Sequence, residues 1–387
     1  MNRKYVRHAP DYAIGENEAL YAAMAEKGWM LKKRGANFSR FERGEMRHMR
    51  YRIELAAPKW LDETELPDEQ LALYEECGWR LAAHRGLVYV FCAPAGSDAP
   101  EIYSDPRQQA GMLRALRRQY RTGWLGALAL VAFNLLLGAA IRGSLGEMAA
   151  DFLSGLRLSF VDSTALVLSY GALCAAAIYD YLRGAVSTMR LYRRLKRGEP
   201  IDHAPHHRRA AQIVGDALGA LAVIFALLAV WQWAGKTSGP LPAAADGPYL
   251  LIEDLESGVR TEMFGRENSR VVTRSLAARH YDIYESLQTP SGEDLWLYED
   301  VYELRSPALA MAAASALMEQ AALAHGPDSF VEYDIPGLER AWYGTMTYIA
   351  IRGNFVCSLT YRGPSDEDDY FTYDEAVFPA LAARLAA

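Results

Sequence analysis

The chain has 387 residues, 51% of them apolar, with 41 Lys/Arg against 48 Asp/Glu for a net charge of −7 and a mean hydropathy of −0.10. These averages are those of an ordinary soluble protein with room for two or three domains, yet they conceal a segregated chain. Residues 1–122 carry 20 Lys/Arg against 17 Asp/Glu, 123–235 carry 10 against 7, and 236–387 carry 11 against 24, giving net charges of +3, +3 and −13. The cysteines are Cys77, Cys92, Cys174 and Cys357, with no Cys-x-x-Cys pair, which excludes a zinc knuckle or a redox motif of that spacing. Only Cys357 lies in the acidic third, so no disulfide forms within that region.

The opening "MNRKYVRHAPDYAIG" lacks an apolar core and a cleavage site and does not read as a signal peptide. "ENEALYAAMAEKGW" then spaces Leu20, Met24 and Trp29 near the helical period, with Gly28 where a helix stops. "MLKKRGANFSRFERG" and "EMRHMRYRIELAAP" read as two strands across a turn at Arg43-Gly44. The order repeats: "PDEQLALYEECGW" as a helix, then "RLAAHRG" and "LVYVFCAP" as strands around Gly86. Residues 1–122 are thus expected to form an α+β domain of two α-β-β units, two helices over one antiparallel sheet. A permuted relative of the ferredoxin-like order is one arrangement that fits.

Trp29 and Trp79 follow the two glycines and are read as core anchors, with ligand stacking as the alternative. Lys32, Lys33, Arg34, Arg40, Arg43, Arg47, Arg50 and Arg52 would form a basic sheet face. Interleaved acids and the near-neutral domain charge favour a solvated face, and no nucleic-acid partner is expected.

"EKGWMLKKRGANFSRFERGEMRHMRYRIE", "YEECGWRLAAHRGLVYVFCAP" and "APEIYSDPRQQAGMLRALRRQ" together resemble the bacterial family known as domain of unknown function 2812, over roughly residues 14–121. Its pattern is a helix ending in a Gly-Trp-Leu-type turn, a basic strand pair, a second Gly-Trp turn, and a Glu-Ile-Tyr-x-Asp stretch before a membrane helix. Met30 stands here where Leu is usual. The resemblance implies a bacterial membrane protein, often encoded beside a PadR-type transcriptional repressor, and supplies no catalytic residue.

Three charge-free runs follow, 123–141, 163–179 and 217–235, each about the length that crosses a bilayer as a helix. Trp124, Trp231 and Trp233 stand near their ends, where interfacial aromatics collect. Arg114, Arg117, Arg118 and Arg121 precede the first run, and eight basic residues from Arg183 to Arg209 lie between the second and third. The 142–162 connection has only Arg142 and Arg157. Because basic loops stay in the cytoplasm, the expected topology is N-terminus inside, 142–162 outside, 183–213 inside and the C-terminal domain outside a bacterial inner membrane.

The second run is expected to continue as a helix to Gly198, with Arg190, Arg193, Arg194 and Arg197 on one face. That face, in the basic 183–209 stretch, suits anionic lipid headgroups. Asp202, His203, His206 and His207 carry metal-ligating side chains, but adjacent histidines in a Pro-containing stretch read as an exposed loop rather than a metal set. Gly215 and Gly219 hint at helix packing and hence an oligomer through the membrane helices. Asp216 is read as hydrated at a helix end, not as part of a transport path.

Residues 236–248 read as a flexible tether of small residues and prolines. Residues 249–387 are expected to form an acidic α+β domain: strands at "ARHYDIYESL", "EDLWLYEDVYEL", "RAWYGTMTYIAIRGN" and "NFVCSLTYRG", a helix from Ser306-Pro307, and a last helix in "YDEAVFPALAARLAA". His280 and His325 are its only histidines, and no nucleophile stands in an elbow motif. Asp366, Glu367, Asp368, Asp369, Asp374 and Glu375 lack EF-hand spacing and are read as solvated rather than calcium-binding.

The sequence therefore assigns no catalytic, cofactor-binding or metal-ligating residue and no cofactor. It describes an α+β protein with three transmembrane helices, a folded domain on each side, and the layout of a sensor or regulatory adaptor with a cytoplasmic protein partner. A transport- or channel-associated subunit is the second reading, disfavoured because only Asn134 is strongly polar at depth; a membrane-bound enzyme is the third.

Overall fold

The computed structural model describes residues 2–55, 66–142, 145–203, 209–256, 262–263, 268–288, 292–325, 330–344, 346–363 and 373–386. They divide into two units, Met1–Phe133 with Ala175–Ala217, and Asn134–Cys174 with Leu218–Ala387.

The first unit opens with β1 (Arg3–Arg7), α1 (Ile14–Glu26), β2 (Trp29–Arg34), β3 (Phe38–Arg43) and β4 (Met49–Leu55). It continues with α2 (Asp68–Glu76), β5 (Arg80–Arg85), β6 (Val88–Pro94) and a short α3 (Pro106–Gln109). The one expected sheet is instead two three-stranded antiparallel sheets, ordered β1-β3-β2 and β4-β6-β5. The first hairpin turns at 35–37, where Gly35 N–H donates to Phe38 O, and not at Arg43-Gly44. Strand β4 then leaves for the second sheet and pairs with β6. Strand β1, unforeseen from sequence, completes the first sheet on β3.

Gly28 and Gly78 stop α1 and α2 with φ of 75° and 87°, a region side chains disfavour. The strand after each stop carries a register shift, Leu31/Lys33 in β2 and Leu81/Ala83 in β5. A bulge inverts the in-out alternation, which is why Arg34 turns inward after exposed Lys32 and Lys33.

Four long helices follow: α4 (Leu113–Arg142), α5 (Leu145–Asp162), α6 (Thr164–Lys196) and α7 (Arg209–Ala234). The 142–162 connection is thus mostly helix rather than loop. Helix α6 runs unbroken to Lys196 as expected, and Gly198 (φ 86°) ends it. Among the described residues two helices are long and apolar enough to cross a membrane, α6 and the 212–234 part of α7. Their most apolar stretches are only 11% and 6% buried, unlike the core helix of a soluble protein. The start of α4 and the end of α6 enter the core of the first unit, where Leu113, Leu116 and Leu195 pack with Tyr21, Phe41 and Val90.

The second unit adds β7 (Thr237–Gly239), α8 (Ile252–Leu255), β8 (Glu262–Met263), β9 (Ser269–Arg274), β10 (Ala278–Gln288) and β11 (Asp294–Leu304). Then come a 3₁₀ turn (Pro307–Leu309), α9 (Ala310–His325), β12 (Val331–Tyr333), β13 (Arg340–Gly344), β14 (Thr347–Arg352), β15 (Phe355–Arg362) and α10 (Val377–Arg384). The sheet is antiparallel, ordered β12-β13-β14-β15-β11-β10-β9-β7, with β8 added on β10. The expected 340–354 strand is two, broken where Met346 takes φ 63°. The 236–248 segment is not a free tether: β7 pairs with β9, and Leu241 and Ala245 pack on the core.

Alternation along these strands builds two cores. One face packs Tyr281, Ile283, Leu297, Val301 and Leu359 against Phe378 and Leu381 of α10 and against Tyr249–Ile252. The other packs Tyr302, Leu304, Ile349 and Ile351 against α9 and against Leu158 and Val161 of α5. Each such fully buried large apolar side chain contributes about 1.5–3 kcal/mol.

Candidate functional site

The second unit concentrates its buried charge where α5 passes into α6. Strands β10 and β11 place His280 opposite Tyr302 and Asp282 opposite Asp300, all on the sheet face that α5 and α9 cover. The imidazole stacks on Tyr302 at 4.2 Å. Its Nε2 bonds Asp300 Oδ1 at 2.7 Å, and Nδ1 lies 3.0 Å from Asp162 Oδ1 at the last residue of α5. The Asp162 contact is an ion pair off the hydrogen-bond line, so that carboxylate oxygen is buried without a hydrogen-bond partner among the described residues. One turn away, Ser275 Oγ donates to Val161 O and accepts from the N–H of Ala277 (3.0 Å) and Ala278 (2.8 Å). Thr164 Oγ1, at the start of α6, donates to Phe160 O in the last turn of α5 at 2.7 Å.

Burial alone would discharge His280, but the two flanking carboxylates more than offset it and hold its pKa up to about 9. Asp282 is raised by burial and by Asp300 beside it. The ring is therefore an imidazolium at neutral pH with both nitrogens facing carboxylates, which offers neither a general base nor a metal-binding lone pair. The carboxylates stand on opposite sides of the ring and do not converge. Beside this ladder is a cavity of about 610 Å³, within the size range of small-molecule sites. Leu166, Val230 and Trp233 give it an apolar wall, and Asp162, His280, Asp282 and Lys236 a charged one.

Across the sheet, Glu299 is fully buried, accepts from Leu250 N–H (2.7 Å) and Cys357 Sγ (3.1 Å), and is pushed by burial to about 8. Glu285, also raised by burial, accepts from Ile252 N–H at 2.7 Å. These acids fasten the segment that enters the domain.

In the first unit, Glu18 on α1 accepts from Ile53 N–H and meets His203 Nε2, each at 2.7 Å, with Arg52 at 3.8 Å. Arg34, 1% exposed in its side chain, pairs with Asp11 at 2.6 Å and bonds the Tyr21 hydroxyl. Arg7 clasps Asp216 through two bonds of 2.6 and 2.7 Å, so Asp216 is paired, not merely hydrated. Glu54 accepts from Tyr103 at 2.9 Å, has no partner for Oε2 among the described residues, and burial lifts it to about 7.

The sequence candidates disperse. Trp79 is a core anchor, 1% exposed, with Nε1 donating to Pro100 O. Trp29 is only half-buried, flanked by Lys4 and Arg43 over its ring. Half of the basic face is paired: Arg40 meets Glu42, Arg47 meets Glu45, and Arg50 and Arg52 share Glu101, while Lys32 and Lys33 are exposed. Arg194 and Arg197 both pair with Glu199. His203 is engaged by Glu18, whereas His206, His207, residues 366–369 and the side chains of Asn134 and His325 lie outside the described residues. Among the described residues no group of three or more His, Cys, Asp or Glu is placed to hold a metal ion.

Sequence reasoning missed the His280 ladder. The His-x-Asp alternation in β10 put His280 and Asp282 on one face, but Asp162 is far away in the chain and gave no signal.

Residues 14–125 match the model of a family described as "Protein of unknown function (DUF2812)". No curated protein and no solved structure matches the chain.

Proposed function

We propose that this chain, with a DUF2812 domain at its N-terminus, is a bacterial inner-membrane sensor or regulatory adaptor of three spans, N-terminus inside and acidic domain outside. The carrying observation is α6. Its first turn, with Ala165 fully buried, is held beside the His280 ladder and the 610 Å³ cavity, while Leu195 near its other end is fully buried in the core of the first unit. An amphipathic ligand in the outer cavity would meet Leu166 and Asp162 at that turn and bias a helix that ends inside the cytoplasmic domain. A cytoplasmic protein would read the change.

The third span rests on α4, where Trp124, Leu125, Leu128 and Phe133 are exposed along a continuous helix behind four arginines. The cytoplasmic domain is read as a duplicated β-α-β-β unit, supported by the same sheet order, glycine stop and register shift in each half.

Span parity gives the test of topology, since two spans leave the domains on one side and three on opposite sides. Cysteines placed at exposed Met46 and Val331, in a chain whose native cysteines are replaced, are labelled in intact cells with an impermeant maleimide. Labelling at 331 alone is expected; equal labelling at both positions refutes three spans. Coupling is tested by hydrogen exchange in nanodiscs: His280→Gln is expected to speed exchange at 190–196, and a change confined to the second unit rejects the adaptor reading.

A further inference from the structure

Helices α4 and α6 part below a close crossing to leave a groove of about 640 Å³ in the first unit. At the crossing, Gly184 leaves room for the Tyr120 ring, where any Cβ would collide with its hydroxyl. Tyr120 meets Tyr181 edge-on at 5.3 Å, and Trp124 stacks on Tyr181 at 6.2 Å. The groove rim carries Arg114, Arg117, Arg118 and Arg121, spaced i, i+3, i+4 and i+7 on one face of α4. Arg117 is held in place by stacking over Tyr192 at 4.0 Å. Leu182 and Met189 make the apolar wall, and no acidic side chain is among the described lining.

Two hydroxyls in this lining are unused. Thr188 is 1% exposed and its Oγ1 has no hydrogen-bond partner among the described residues; the Tyr181 hydroxyl is buried and likewise unpartnered among them. Leaving a buried hydroxyl unsatisfied costs about 1–3 kcal/mol, so such groups in a cationic groove mark a place where an acceptor belongs.

We propose that this groove is a binding site for one anionic phospholipid of the inner leaflet, its phosphodiester among the arginines and the two hydroxyls and its acyl chains along Leu182 and Met189. Arginine forks suit phosphate oxygens, neutral hydroxyls supply further donors, and the apolar wall distinguishes a lipid from a free anion. The site is separate from the Arg190–Arg197 face, where Arg194 and Arg197 are already committed to Glu199. It rests on the three-span reading, which places this end of α4 and α6 at the cytoplasmic surface.

The test is native mass spectrometry of the full chain in detergent, titrated with phosphatidylglycerol or phosphatidylcholine of matched acyl chains. One phosphatidylglycerol per chain is expected to be retained at least about tenfold more tightly than phosphatidylcholine. Arg114→Gln with Arg121→Gln should remove that preference. Thr188→Val and Tyr181→Phe, which preserve shape, should each weaken retention by about three- to tenfold. Arg190→Gln with Arg193→Gln should leave it unchanged. Equal retention of both lipids, wild-type retention by the groove variants, equal loss in the Arg190/Arg193 variant, or displacement by millimolar inorganic phosphate each overturns the proposal. A chain that labels at 331 alone yet shows no lipid preference loses only this site. One that retains phosphatidylglycerol as expected but labels at Met46→Cys from outside loses the topology and with it the inner-leaflet assignment, while the groove still stands as a lipid site.

Discussion

Replacing His280 by Gln removes the cation between Asp162 and Asp300 while keeping a side chain that can donate to one of them. The imidazole pKa rises from 6.5 to about 9 on folding, a difference of about 2.5 pKa units, or roughly 3 kcal/mol at 1.36 kcal/mol per unit. Because the folded value is the higher one, this stabilisation is complete below about pH 6.5 and disappears as pH climbs through 9. The groups facing the ring are Asp162, Asp300, Asp282, Lys236 and the Tyr302 face. In the variant Lys236 is the cation that remains beside the three carboxylates among the described residues, so the penalty at neutral pH falls at or above that 3 kcal/mol figure. For a unit of this size about 1 kcal/mol shifts Tm by roughly 2–4 °C. Thermal unfolding of the full chain in nanodiscs, followed by tryptophan fluorescence, is therefore expected to show the variant melting about 6–12 °C lower at pH 6 and within a few degrees of wild type at pH 10. A gap of the same size at both pH values would refute the reasoning, because the ladder would then stabilise by shape and not by charge.

Glu54 gives the complementary pH behaviour in the first unit. Its folded pKa is about 7 against an ordinary 4.5, so wild type loses stability as pH rises from 4.5 through 7, and Glu54→Gln should be more stable by up to about 3 kcal/mol at pH 8 and nearly equal at pH 4.5. The same melts at the two pH values check this, and greater stability of the variant at pH 4.5 alone counts against it. Gly28→Ala and Gly78→Ala should each destabilise by about 1 kcal/mol or more, since both glycines have positive φ and a Cβ would crowd Gly44 O and Ala99. Urea unfolding of the full chain measures the pair, and a neutral effect at either position breaks the equivalence of the two halves.

Helices and most long strands were legible because their period is local. The α9 start at Ser306-Pro307, the β14–β15 hairpin at Gly353-Asn354 and the Gly28 and Gly78 stops all lie in residues a few positions apart. What was not legible depended on distant partners. Strand β1 has no strong alternation, and only β3 makes it a strand. Strand β4 reads from sequence as the partner of a single 30–44 strand across Arg43-Gly44, yet its pairing with β6 is decided by the continuous buried run Val88–Ala93, which needs a neighbour on each side. Arg34 read as one more basic surface residue because a bulge, invisible in composition, reverses its side. The α4–α6 groove was half legible: its arginines had been used to orient the chain, but not as a site, since Tyr181 and Thr188 lie on another helix.

The clasp between Arg7 and Asp216 carries a consequence for synthesis. Its halves are made some two hundred residues apart, and the same early domain also waits for Leu195, Ile201 and His203 to fill its core and meet Glu18. A ribosome that has released β1 to β6 has not yet released what closes them. The N-terminal domain therefore reaches its final packing only after the last hydrophobic helix has begun to emerge, unlike domains that fold one by one from the N-terminus. Until then its core is incomplete, and its completion reports that the chain has been made as far as the start of α7.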